Sequence, residues 1–187
     1  MTLASLPAPP DVRVDEIALF LDVDGTLVEI EREPRAVHVS ERLCEILEEL
    51  DAAADGALAL VSGRSLAQLD HLFRPLHLSA AGLHGLERRN LRSKLVRVKP
   101  DPAVFAPARA RLNAFARSHP GVMLEDKGLT LALHYRKAPE DQDEAEATAR
   151  AVVAESGGNL VLLKGKMVLE LKPPGYDKGQ AIAAFMG

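Results

Sequence analysis

The sequence predicts an α/β protein in which a parallel sheet with crossover helices is interrupted by an antiparallel lobe. Three observations carry this. Short apolar runs at Ile17–Leu21, Ala57–Val61 and Leu78–Ala81 each stop abruptly at a polar residue or glycine, as strands buried on both faces do. Segments with helical apolar spacing lie between them, so strands alternate with helices. After about Lys99 the order becomes helix, hairpin, helix, hairpin, which belongs to an antiparallel sheet with helices on one face.

Taken in order, residues 1–15 read as a leader, because Leu6-Pro7-Ala8-Pro9-Pro10 cannot make regular structure. After the first run, Glu31, Arg32 and Glu33 read as an exposed loop. Ser40 is placed to cap a helix carrying Leu43, Ile46, Leu47 and Leu50 on one face. Ser65 is placed to cap another, with Leu66, Leu69 and Leu72 inside. In the lobe, Pro102–Ser118 reads as a helix with Phe105, Ala108, Leu112 and Phe115 on one face. Val122–Glu125 and Leu129–Tyr135 read as strands joined at Lys127-Gly128. Pro139–Glu155 reads as a helix with Ala145, Ala149 and Val152 inside. Leu160–Leu163 and Met167–Leu171 form a second hairpin around Lys164-Gly165-Lys166. Pro173-Pro174-Gly175 punctuates the lobe, and Asp177–Met186 begins a last helix. The core is thus expected over 16–98 and 172–187, and the inserted lobe over 99–171.

Composition excludes several classes. The 187 residues are 47% apolar and 27% charged, ordinary for a globular protein and too apolar for a disordered one. The net charge of -4 gives no basic surplus for nucleic acid or an anionic membrane surface. The longest stretch without Asp, Glu, Lys or Arg is Pro75–Leu86, far short of the roughly 20 apolar residues of a spanning helix. Met1–Pro10 has neither the basic residue nor the apolar run of a secretory signal. The lone cysteine, Cys44, excludes an intrachain disulfide and a cysteine-based zinc cluster, and a cytoplasmic setting is expected. Its place in a helical apolar pattern makes it core packing rather than a nucleophile.

Ligands of parallel α/β sheets bind beyond the carboxyl ends of the strands. Asp22, Ser62 and Gly82 all follow predicted strand ends. Asp22-Val23-Asp24-Gly25-Thr26-Leu27 is the strongest signal. Two carboxylates two residues apart on an extended segment point the same way. One can attack phosphorus while the other handles protons, and hard carboxylate oxygens suit Mg²⁺. Gly25 allows a sharp turn and close approach to a ligand.

Asp-x-Asp-Gly-Thr after a first strand resembles the first motif of the haloacid dehalogenase superfamily. Ser62 resembles the phosphate-binding hydroxyl of its second motif, and Lys178 the charge-neutralising lysine of its third. The resemblance implies a Rossmann-like core with an inserted type 2 cap and a Mg²⁺ cofactor at Asp22 and the main chain of Asp24. It implies Asp22 as nucleophile, Asp24 as acid and base, and Ser62, Lys178 and backbone amides near Val23–Gly25, with Gly25 and Thr26 beside the phosphate. Ser62-Gly63-Arg64, Gly82-Leu83-His84-Gly85-Leu86-Glu87, Glu125-Asp126-Lys127, His134-Tyr135-Arg136 and Gly165-Lys166-Met167-Val168-Leu169-Glu170 are more closely similar to the trehalose-6-phosphate phosphatases. That family implies a sugar phosphate as the partner, gripped by Glu125, Lys127 and Glu170 of the cap, with His84, Gly85 and Arg64 beside it. From the residues alone, His84 is either a sugar contact or a loop hydrogen bond, and Arg64 either a phosphate contact or a surface residue. Lys164 and Lys166 read as a solvated pair.

The superfamily's fourth motif supplies acidic residues after the lysine helix, whereas no Asp or Glu follows Lys178 here. The chain is therefore expected to be a shortened form of a longer phosphatase, the alternative being a whole product with altered activity. Weak Mg²⁺ binding and impaired turnover are expected, as is a first strand left at the sheet edge, where copies can associate. The rivals are a sucrose- or mannosylglycerate-type phosphatase with the same cap, a non-catalytic sugar-phosphate binder, and a phospho-accepting receiver domain, disfavoured by the inserted lobe.

Overall fold

The computed structural model describes residues 12–29, 37–90 and 94–187. Leu6–Pro10 and Glu31-Arg32-Glu33 lie outside these residues. The first sheet begins with β1 (Leu19–Asp22), β2 (Leu58–Val61) and β3 (Ser79–Gly82), all parallel. β2 is buried along its whole length, as its unbroken apolar run requires. Leu58, Leu60 and Ala80 face α1 (Glu41–Ala53) and α2 (Leu66–Leu72), where Leu47, Leu66, Leu69 and Phe73 complete a core. Val61 and Ala81 face the opposite side, against Ala181.

The caps are those the sequence predicts. Ser40 accepts the Leu43 N–H, and Ser65 with Gln68 forms a reciprocal capping box. Ile46 departs from expectation. It is exposed, while Leu43, Leu47 and Leu50 face the core. Cys44 is half-buried, and burial pushes its thiol pKa up, against nucleophilic use.

Two further strands, β4 (Glu87–Arg89) and β5 (Leu95–Arg97), extend the sheet antiparallel in the order β1-β2-β3-β4-β5. The sequence predicts no strand here, since the charges of Glu87-Arg88-Arg89 show no apolar alternation. Glu87 and Arg89 are buried, and their partners offset the cost of burying those charges. Glu87 accepts the Leu66 N–H at 2.6 Å and pairs with Arg97, while Arg89 forks onto Asp70 and the Leu78 carbonyl. β1 is the edge of this sheet among the described residues.

The inserted layer starts with α3 (Pro102–Ser118), the predicted span, with Asp101 capping it and Phe105, Ala108 and Leu112 buried. β6 (Met123–Asp126) and β7 (Leu131–His134) follow, then a 3₁₀ turn at Pro139–Asp141 leading into α4 (Gln142–Glu155). β8 (Val161–Gly165) and β9 (Val168–Lys172) complete an antiparallel sheet ordered β6-β7-β9-β8. The second hairpin turns at Lys166-Met167, one to two residues later than predicted, with Met167 at φ 61°. Gly165 belongs to the strand instead, since a Cβ there would lie 2.7 Å from Val168 Cγ1. α3 and α4 cover one face of this sheet through Leu131, Leu133, Leu169 and Leu171. The other face carries Glu125, Ala132 and Glu170 in register, one per strand.

α5 (Lys178–Met186) returns to the first sheet. A small apolar cluster joins the layers, with Leu129 of the β6–β7 turn against Leu83 and Leu86. Among the described residues, no helix is long and apolar enough to cross a membrane.

Candidate active site

The site forms where the carboxyl ends of β1 to β3 meet the sheet face of the inserted layer. Asp22 pairs in register with Val61, so Ser62 sits one residue beyond it on the neighbouring strand. Asp22 Oδ1 accepts the Val23 N–H at 2.8 Å and forms an ion pair with Lys178 Nζ at 2.7 Å. The amide hydrogen bond and the nearest lysine contact therefore fall on the same oxygen.

Lys178 is held there by the seating of α5. Asp177 caps the helix through the Gln180 N–H at 2.7 Å. Phe185 packs on Phe20 of β1 with ring centroids 5.9 Å apart. Gly85, at φ +95°, lies so close that a Cβ would be 3.0 Å from Ala181 Cβ. The structure thus places Gly85 against α5, where its smallness admits the helix.

Asp24 meets a different cation. Arg64 Nε lies 3.0 Å from both of its carboxylate oxygens, and Nη2 lies 2.6 Å from Oδ1. Arg64, expected at a phosphate or on the surface, is held at the site by this fork onto the second aspartate. Gly25 turns the loop at φ 85°. Two of the amides expected to face phosphate are used inside this loop. Val23 N–H goes to Asp22, and Gly25 N–H to the Val28 carbonyl at 2.7 Å. Gly25 and Thr26 line an open cavity of about 440 Å³ with Leu27, Val28, Glu29 and Lys166. Ser62 is buried, and its Oγ accepts the Arg64 N–H at 3.0 Å, which leaves the hydroxyl its proton to donate.

Across from these groups, Glu125 accepts Gln68 Nε2 at 2.9 Å on one oxygen and meets His134 Nε2 at 3.0 Å on the other. The His134 bond is the main cause that holds its pKa down to about 2. Glu170 is buried, which by itself raises its pKa. His84 at 3.0 Å, Lys127 at 3.6 Å and the Thr130 hydroxyl at 2.7 Å outweigh burial and hold it at about 2. Lys127 also donates to the Gly63 carbonyl at 3.1 Å. Gly63 must be small, since a Cβ would lie 2.8 Å from the His84 ring. His84 thus resolves as a bond between layers, and Glu125, Lys127 and Glu170 each touch the core.

These depressed carboxylates carry a pH consequence. Each sits near 2 in the fold against 4.5 as the ordinary value. Their stabilising contribution is complete above about pH 4.5 and is lost as pH falls toward 2. The thermal midpoint is expected to drop as pH is lowered through this window, and to drop less in Glu170→Gln. An identical acid slope in wild type and variant would contradict this.

Sequence reading missed Gln68, His134 and Thr130. The Ser65-x-x-Gln68 spacing announces a capping box, but nothing in it announces the second bond, to Glu125. His134 shares a strand face with Ala132, which period-two alternation displays. Lys166, read with Lys164 as a solvated charge, fronts the cavity, whereas Lys164 pairs with Glu146.

For a cation, the described residues hold no cluster of three or more His, Cys, Asp or Glu side chains. Mg²⁺ needs only one or two protein oxygens beside water and phosphate. The Asp22 carboxylate and the main-chain carbonyl of Asp24 fit that demand, while the Asp24 carboxylate is engaged by Arg64.

Three parallel strands with helices on both faces, extended by two antiparallel strands and carrying an inserted α+β layer, make up a fold found in haloacid dehalogenase-like hydrolases. A haloacid dehalogenase-like hydrolase from Bacteroides thetaiotaomicron shares this fold with a TM-score of 0.64, at 17% identity over 90% of this chain and 75% of its own. Within that class the trehalose-phosphatase family model matches residues 20–187, and the chain belongs to that family. The trehalose-6-phosphate phosphatase of Escherichia coli (strain K12) is 42% identical over 90% of this chain. A probable trehalose-phosphate phosphatase of Sinorhizobium fredii is 42% identical over 93%. The chain spans 63% and 65% of these two relatives' lengths. The C-terminal domain of Candida albicans trehalose-6-phosphate phosphatase overlays with a TM-score of 0.78 at 25% identity, over 91% of this chain and 62% of that one.

Proposed function

We propose that this chain removes the phosphate from trehalose 6-phosphate through a covalent aspartyl-phosphate. The observation that carries the proposal is the Asp22–Lys178 contact at the end of β1, facing the Glu125–Glu170 row of the inserted layer. The names of the 42%-identical relatives support the substrate.

In this mechanism Asp22 Oδ2 attacks phosphorus, and the bond from phosphorus to the sugar oxygen breaks as Asp24 gives that oxygen a proton. Asp24 then takes a proton from water, which attacks phosphorus and frees phosphate and the Asp22 carboxylate. Arg64 keeps the Asp24 carboxylate in one orientation for both transfers. Ser62 and Lys178 hold the charge spread over the phosphoryl oxygens. A Mg²⁺ ion held by Asp22 and the Asp24 carbonyl would offset the repulsion between carboxylate and phosphate. Glu125, Lys127 and Glu170 receive the sugar hydroxyls. A cytoplasmic setting, no nucleic-acid or membrane partner, and association of copies along the β1 edge belong to the same proposal.

The test is phosphate release from trehalose 6-phosphate, sucrose 6-phosphate and glucose 6-phosphate, with Mg²⁺ and with chelator. Selective, Mg²⁺-dependent release from the first is expected. Equal release from all three would sink the sugar assignment, and release from none would sink catalysis by this chain.

A further inference from the structure

Of the three sugar-facing side chains proposed above, Glu125 is gripped by one neutral side chain of the core and one ring of its own sheet. Gln68 of α2 donates to Oε1, and His134 of β7 meets Oε2. The two grips differ in kind. The Gln68 bond spans the layers and lasts only while they are together. The His134 bond lies within one sheet and travels with it.

The sheet register explains the second grip. Glu125 lies opposite Ala132, whose methyl is too short to touch a carboxylate. His134 is two residues along the same strand and faces the same side, the diagonal position from which a long ring reaches a neighbour. Leu131 and Leu133 alternate into the core against α3 and α4, whereas His134 does not belong to that cluster. Its ring therefore adds little to the apolar packing, and its polar partner is a carboxylate facing the site.

Resting on the proposed function, we propose that His134 is a positioning residue that fixes the Glu125 carboxylate in the orientation that meets a sugar hydroxyl. Each carboxylate oxygen has about two acceptor sites, so one donor per oxygen leaves room on both for the ligand. A glutamate held beforehand does not lose its rotamer freedom on binding. Lys127, the other charged group acting on it, donates to the Gly63 carbonyl and pairs with Glu170.

Calorimetric titration of the chain with trehalose 6-phosphate and with inorganic phosphate tests this in wild type, His134→Phe, His134→Asn and His134→Gln. The Phe ring removes the donor, Asn holds it about one methylene short, and Gln returns it at similar reach. Phe and Asn are expected to weaken trehalose 6-phosphate binding by about tenfold, on the scale of one charge-assisted hydrogen bond. Gln is expected to recover to within about threefold, and phosphate affinity to stay within about twofold in all four. Where turnover is measured, the loss falls on KM rather than kcat. Should the Phe variant not fold, Asn against Gln makes the same comparison with polar side chains. Unchanged sugar-phosphate binding, equal losses for both ligands, or a folded Gln variant no better than Asn overturns the positioning role alone. A wild type that binds phosphate but not the sugar phosphate overturns the proposed function and this inference with it.

Discussion

Asp22→Asn is expected to leave a folded chain whose phosphate release falls by at least about 10⁴-fold, the scale on which loss of a nucleophile is felt. The substitution is nearly isosteric. An amide oxygen in the Oδ1 position still accepts the Val23 N–H and the lysine. What changes is the other atom, now an NH₂ with no lone pair to give phosphorus. Asp22 is 42% exposed, so losing its charge costs little stability and the thermal midpoint should barely move. Steady-state kinetics beside a thermal melt separates the two effects. Turnover retained within tenfold of wild type would remove Asp22 as nucleophile.

Lys178→Met is expected to lower kcat by about 10²–10³-fold, the scale on which loss of one preorganised donor to a charged transition state is felt. Methionine keeps the apolar stem and the helix propensity at the start of α5. The ammonium that meets Asp22 at 2.7 Å is lost. Its role strengthens as the phosphoryl group arrives, because the lysine then faces two anionic partners in place of one. The lysine is 40% exposed, so the melt should again be nearly unchanged. A variant with wild-type kcat would assign Lys178 to surface pairing only.

The sheet and its helices were legible because they are written in local signals. α3 occupies its predicted span, since Asp101 caps it, Pro102 opens it and the apolar residues recur at helical spacing. The capping serines of α1 and α2 were equally plain. β4 was not legible, because its burial depends on partners remote in sequence. Asp70 and Arg97 neutralise Arg89 and Glu87, and no local pattern announces such a pairing. The late turn of the second hairpin has the same origin. Glycine between two lysines reads as a turn, yet Gly165 is small to make room for Val168. At the site, the identity of the chemical groups was readable from motif and spacing. Their pairing was not. Which of Lys178 and Arg64 meets which aspartate, and that His84 and His134 each back a glutamate, follow from how the strands and layers are stacked.

The two contacts on a single oxygen of Asp22 make its carboxylate asymmetric before any ligand arrives. A free carboxylate turns about a two-fold torsion, and either oxygen can be presented. Here the Val23 N–H and the nearest lysine contact both fall on Oδ1. In the proposed mechanism this tethering turns the other oxygen toward phosphorus, so the resting molecule would already favour one line of approach.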